Sequence, residues 1–206
     1  MWPALHLVFP AYCLGCGALS DHGRLCVSCR ASSPRPGPAV EGVGWVVAFT
    51  GYGGGMARAL RRAKYGPDRP LMVTLADRFA EGVAPLAIGF DAIVPIPSPW
   101  TRRVHRGFAP AAVLAHALGA RCGVPVRSVL ALRPGPKQAG VAGRARRSNL
   151  RGRLRATAPA PGAVLLVDDV STTGATLGAA ARELLGDSSS RVCAVVLAAP
   201  DPPDVR

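Results

Sequence analysis

Residues 164–176 read VLLVDDVSTTGAT, and the order of residue types there predicts a strand, a turn and a helix start. Val164–Val167 is continuously apolar, the pattern of a strand covered on both faces rather than one. It delivers two adjacent carboxylates, Asp168 and Asp169, to its carboxyl end, where open α/β sheets bind their ligands. Ser171, Thr172, Thr173, Gly174 and Thr176 follow, placing hydroxyls and backbone N–H groups around a helix N-terminus that favours a phosphate dianion. The carboxylates would repel that phosphate, so they suit the vicinal hydroxyls of a ribose or a Mg2+ ion held beside them. A phosphate pocket adjoining a diol pocket has the shape of a 5-phosphoribosyl group. Other nucleotide patterns fit less well. The chain has no G-x-x-x-x-G-K-[ST], and GYGGGM at 51–56 lacks both the P-loop lysine and the dinucleotide spacing.

Working outward, β-like runs alternate with helical ones. Trp45–Phe49, Ala92–Ile96, Ser128–Leu132, Val164–Val167 and Val192–Ala198 read as strands, whereas Met56–Lys64, Leu71–Val83, Pro110–Arg121 and Ala175–Leu185 carry helical spacing. This alternation predicts an α/β fold with a parallel sheet flanked by helices. The 206 residues, 49% of them hydrophobic, are enough for one ordinary domain with a small appendage. With 24 Gly and 20 Pro but no repeating period, neither a collagen nor a repeat array fits. No apolar run approaches a membrane span, and MWPALHLVFP has no basic n-region, so a cytoplasmic protein without membrane insertion is expected.

The net charge of +13 is not spread evenly. Ala92 to Val167 contains 13 basic residues and no acidic one, so the whole excess lies in this one segment. Its densest part, Arg133 to Arg155, holds seven arginines and Lys137. Phosphate, pyrophosphate or a nucleic-acid backbone is the partner such a segment attracts. A GC-rich coding style accounts for 23 Arg against 2 Lys, but not for the disappearance of acids. Without an anion the like charges of 133–155 repel, and the segment is expected to be mobile.

The cysteines divide cleanly. Cys13, Cys16, Cys26 and Cys29 form C-x2-C-x9-C-x2-C, while Cys122 and Cys193 stand alone. Two C-x-x-C pairs bring four thiolates together at tetrahedral spacing, the signature of a structural zinc ribbon with no open position for catalysis. Paired disulfides do not suit a chain without an export signal. The division is therefore an N-terminal strap and zinc ribbon (1–30), a Pro/Ser/Gly-rich linker (31–44) and the α/β domain (45–206).

VLLVDDVSTTGAT resembles the PRPP-binding signature of type I phosphoribosyltransferases, and the rest of the chain resembles their ComF/GntX-type competence-related branch. The resemblance runs through the ribbon cysteines, Lys64-Tyr65, Val94-Pro95-Ile96-Pro97, Arg106-Gly107-Phe108, Gln138, Arg146-x-x-Asn149 and Gly152 to the signature itself. It implies a zinc ribbon joined to a phosphoribosyltransferase-like domain that binds PRPP with Mg2+, in a protein linked to DNA uptake or nucleotide metabolism. Carried over, Asp168 and Asp169 meet the ribose hydroxyls and Mg2+, and Thr172, Thr173, Gly174, Ala175 and Thr176 hold the 5-phosphate. The turn after Ala92–Ile96, reaching Arg106 and Gly107, becomes the pyrophosphate loop. Lys137, Gln138, Arg144, Arg146 and Asn149 belong to a mobile basic loop that closes over the site. In a transferase Asp168, Asp169 and Arg106 would be the catalytic groups. His105 and His116 are weaker acid–base candidates. Two features depart from the family: Ala109-Pro110 replaces a polar pair after Arg106-Gly107-Phe108, and a second ribbon is missing. An alternative is a non-catalytic factor that handles single-stranded DNA, in contact with competence machinery, through the basic segment and the ribbon. Few aromatic rings accompany that charge.

Overall fold

A computed structural model of the chain describes residues 12–20, 25–30, 32–66, 68–133, 151–159, 162–186 and 189–200. Residues 1–11 of the N-terminal strap lie outside them, as do Lys137, Gln138, Arg144, Arg146 and Asn149 of the basic segment.

The described strands are β1 (Arg35–Pro36), β2 (Val46–Gly51), β3 (Ala92–Pro95), β4 (Leu130–Leu132), β5 (Leu154–Ala156), β6 (Gly162–Val170) and β7 (Ser189–Ala199). The helices are α1 (Val27–Arg30), α2 (Gly55–Tyr65), α3 (Arg69–Val83), α4 (Trp100–Arg106), α5 (Pro110–Cys122) and α6 (Ala175–Leu185). Five strands form one sheet in the order β1-β2-β7-β6-β3. The last four are mutually parallel, and β1 adds an antiparallel edge. The fold class is therefore α/β, a mostly parallel sheet flanked by helices. β4 and β5 make a separate antiparallel pair.

The apolar run of β6 is buried on both faces, as its lack of alternation predicts. Leu165 and Val167 point into a layer with Met56 and Leu60 of α2, Phe79 of α3 and Leu114 of α5. Val164 and Leu166 point to the other side, against Leu177, Ala180 and Leu184 of α6 and Leu154 of β5. The longer helices turn an apolar stripe inward: Met56, Ala59, Leu60 and Ala63 of α2 recur at helical spacing and are fully buried. Local signals fix the helix starts. The Asp68 carboxylate accepts the Leu71 N–H at 2.9 Å to cap α3, and Pro110 opens α5. Because β2, β3, β6 and β7 run in one direction, their carboxyl ends meet at one edge. That edge carries the site.

Within 31–44, Arg35 and Pro36 pair with Ala48 and Val47, and Val40 lies against the start of α6. The stretch after β3, expected as a turn, is in part the helix α4. None of its residues is buried, so it carries no apolar periodicity by which to recognise it.

Candidate functional site and cysteine cluster

A cleft of about 770 Å³ opens at the carboxyl ends of the parallel strands. Asp168, Asp169, Thr172, Thr173, Ala175 and Thr176 of the quoted stretch line one side. Arg61 and Lys64 of α2 line it as well, with Ile96–Pro99 beyond β3 and Arg102 and Arg106 of α4. A smaller recess of about 50 Å³ is formed wholly by Asp168 and the 170–176 turn. The sheet topology thus gathers two carboxylates, a hydroxyl-rich helix start and four basic side chains around one opening.

The turn is built tightly. Gly174 has φ +71°, in the left-handed region, and a Cβ there would overlap the Val40 side chain. The N-cap position of α6 is Gly174, which has no side chain with which to cap the helix, and Ala175 and Thr176 of the first turn line the recess. The Ser171 N–H is already engaged, donating to the Ala198 carbonyl at 3.1 Å. Its hydroxyl is different: the residue is 4% exposed, and the oxygen has no hydrogen-bond partner. A buried hydroxyl beside a polar recess fits a bound oxyanion.

The two carboxylates differ in environment. Burial, together with the adjacent Asp169 charge, pushes Asp168 up to about 8, against the opposing pull of the Asp169 N–H and Lys64. The Asp169 N–H donates to Asp168 Oδ1 at 2.7 Å. Lys64 Nζ lies 2.7 Å from Asp169 Oδ1, with the two side chains only 14% and 17% exposed. Arg106 Nε donates to the Lys64 carbonyl at 2.9 Å, and its guanidinium lies over the Tyr65 ring at 5.9 Å. Sequence reasoning had Lys64 only as part of a family motif; its pairing with the acidic pair depends on a contact between elements distant in the chain. Of the expected site residues, Asp168, Asp169, Ser171–Thr176 and Arg106 come together. Gly107 ends α4 as a left-handed cap and does not line the cleft. His105 and His116 are exposed and line neither opening.

The four ribbon sulfurs lie within 4.8 Å of one another. The backbone N–H groups of Cys26 and Gly15 donate to Cys13 Sγ at 3.2 and 3.3 Å. Burial works against a Cys13 thiolate, but the surrounding N–H groups outweigh it and hold the thiol down at about 6. Burial, the other cysteines and the Cys13 charge push Cys29 up to about 12. Four soft donors so close together, one already favoured as a thiolate, fit a tetrahedral Zn2+. The pair Asp168 and Asp169 offers hard oxygen donors of the kind Mg2+ takes alongside phosphate oxygens.

The cysteine unit sits on the N-terminus of α2. A Cβ on Gly55 would overlap Cys29 Sγ, and one on Gly15 would lie 2.7 Å from the Gly55 carbonyl. Arg58 ties the two, donating from Nε to Gly15 O at 2.9 Å and from Nη1 to Gly53 O at 2.6 Å. One helix therefore carries the ribbon at its start and Lys64 at its end.

No protein-family model matches the chain, and no curated protein matches it. Among solved structures it is similar to glutamine PRPP amidotransferase from B. subtilis complexed with ADP and GMP, at 18% identity and a TM-score of 0.43, over 61% of this chain and 25% of that one. It is also similar to orotate phosphoribosyltransferase from Aeropyrum pernix, at 20% identity and 0.42, over 74% of this chain and 67% of the other. A third is purine phosphoribosyltransferase from Pyrococcus horikoshii, at 22% identity and 0.36, over 62% and 73%. The chain spans only a quarter of the amidotransferase's length.

Proposed function

We propose that the cleft binds PRPP or a closely related phosphoribosyl compound together with Mg2+, and that the chain is a ComF/GntX-type member of the phosphoribosyltransferase superfamily. The observation that supports this best is the meeting of Asp168 and Asp169, the 171–176 turn and four basic side chains at one opening. The recess would take the 5-phosphate on the first-turn N–H groups of α6 and the Ser171 hydroxyl. Asp168 and Asp169 would hold the ribose hydroxyls and Mg2+, which when bound would neutralise charge on a departing pyrophosphate. Arg61, Arg102 and Arg106, which line the cleft, would orient that pyrophosphate and stabilise its charge electrostatically. The ribbon cysteines would hold a structural zinc. Cytoplasmic localisation and a role in DNA uptake or nucleotide metabolism belong to the same reading.

A second reading is favoured by a specific surface feature. Tyr52, Tyr65 and Trp100 are 42%, 77% and 67% exposed, and Arg61 and Arg106 lie over the two tyrosine rings. Rings interleaved with guanidinium groups suit stacking of single-stranded bases, as a DNA-handling factor working with competence machinery would need. Calorimetric titration with PRPP and Mg2+, beside titration with a single-stranded oligonucleotide at several salt concentrations, separates the two. Saturable PRPP binding without DNA binding supports the first. Oligonucleotide binding that weakens steeply with salt, without PRPP binding, would replace it with the second.

A further inference from the structure

The ammonium of Lys64 lies 2.7 Å from Asp169 Oδ1; both residues line the cleft, and the pair is largely shielded from water. An ion pair held this way is costly to break by removing one partner, because the other is left uncompensated. Its backbone is anchored, since Arg106 Nε holds the Lys64 carbonyl at 2.9 Å. The four-carbon stem lets the charged end move while the helix stays in place. A divalent cation approaching the acidic pair alone meets this ammonium, with Arg61, Arg102 and Arg106 lining the same cleft. A phosphate in the recess does not relieve that repulsion, because Lys64 lines the larger cleft and not the recess.

Building on the phosphoribosyl reading, we propose that Lys64 is the resident counter-ion of the acidic pair. The cleft then admits a divalent cation only with a ligand bearing a second anionic group that takes over the displaced ammonium. This selects diphosphorylated sugars over sugar monophosphates. The step is an exchange of ions: Asp169 gives up the ammonium and gains the cation, and the ammonium gains the ligand's diphosphate. No bond is made or broken.

The test uses the zinc-loaded full chain and calorimetry with three probes: Mg2+ alone, ribose 5-phosphate with Mg2+, and PRPP with Mg2+. In the wild type, Mg2+ alone should bind weakly, and PRPP should be preferred over ribose 5-phosphate by about a hundredfold or more. Lys64→Met should tighten Mg2+ binding by about tenfold or more and reduce the PRPP preference by a similar factor. Lys64→Gln gives the same readout should the Met variant fail to fold. Mg2+ binding unchanged or weakened in the variant would overturn the counter-ion role. Equal wild-type affinity for the two sugars would overturn the selection while leaving the phosphoribosyl reading in place. If neither sugar binds, that reading falls, and the comparison of Mg2+ alone still decides what Lys64 does.

Discussion

Asp168→Asn should stabilise the ligand-free protein, and only at pH values above the ordinary carboxylate range. An unfolded aspartate titrates near 3.9, whereas burial and the Asp169 charge push folded Asp168 up to about 8. The folded state therefore holds its proton more tightly than the unfolded chain. Between about pH 4 and pH 8 unfolding releases that proton, so this group's contribution falls as pH rises and levels off above pH 8. Asn cannot ionise and escapes the penalty, while its side-chain oxygen can still accept the Asp169 N–H that now lies 2.7 Å from Asp168 Oδ1. At about 1.4 kcal/mol for each pKa unit, the ceiling is about 6 kcal/mol. The carboxyl opens onto the cleft, where solvent screens its charge, which brings the expected gain to about 1–3 kcal/mol at pH 8.5. Urea unfolding of zinc-loaded protein in Mg2+-free buffer, at about pH 5 and pH 8.5, reads this as a midpoint shift of about 0.5–1.5 M at constant slope. A variant less stable than the parent at pH 8.5, or a gain of equal size at both pH values, would refute the reasoning.

Four further substitutions probe the rest of the architecture. Cys13→Ser or Cys29→Ser should lose zinc and loosen the ribbon, because metal binding supplies its folding energy, while the α/β circular dichroism signal persists; metal analysis checks the first and spectroscopy the second. Gly55→Ala places a methyl group against Cys29 Sγ and should weaken ribbon docking by about 1–3 kcal/mol with zinc retained, seen as faster amide exchange at Gly15 and Cys26. Gly174→Ala forces a side chain into a left-handed conformation and into Val40, so it should cost about 1–3 kcal/mol and weaken binding of a phosphoribosyl ligand; native exchange or urea unfolding together with calorimetry measures both.

What the sequence made legible follows from the reach of each signal. Runs such as Val164–Val167 and Val192–Ala198 announce buried parallel strands because both faces are covered, and the sheet places them where expected. Ala175–Leu185 was readable in full because its apolar stripe and preceding turn lie together in the chain. α4 escaped because it is seven residues long and buries nothing. β5 escaped because its three residues pair only with β4, more than twenty positions earlier in sequence. The placement of Asp168, Asp169 and the turn at a strand's carboxyl end was readable from residue type alone. The Lys64–Asp169 pair and the seating of Cys29 on Gly55 were not, since each joins elements that meet only once the chain has folded.

The central claim, that the acidic pair and the adjoining turn hold a phosphoribosyl group, is tested most directly by titrating PRPP and Mg2+ into Asp168→Asn/Asp169→Asn beside the parent. Asn keeps the shape of each side chain and the pairing of β6 in the sheet, so the double variant should keep the parent's fold, at reduced stability because Lys64 loses its partner. The account predicts that the parent binds PRPP with a clear dependence on Mg2+ and that the variant loses the Mg2+-linked part of the affinity. A folded variant that binds PRPP as tightly as the parent, with the same Mg2+ dependence, would contradict it.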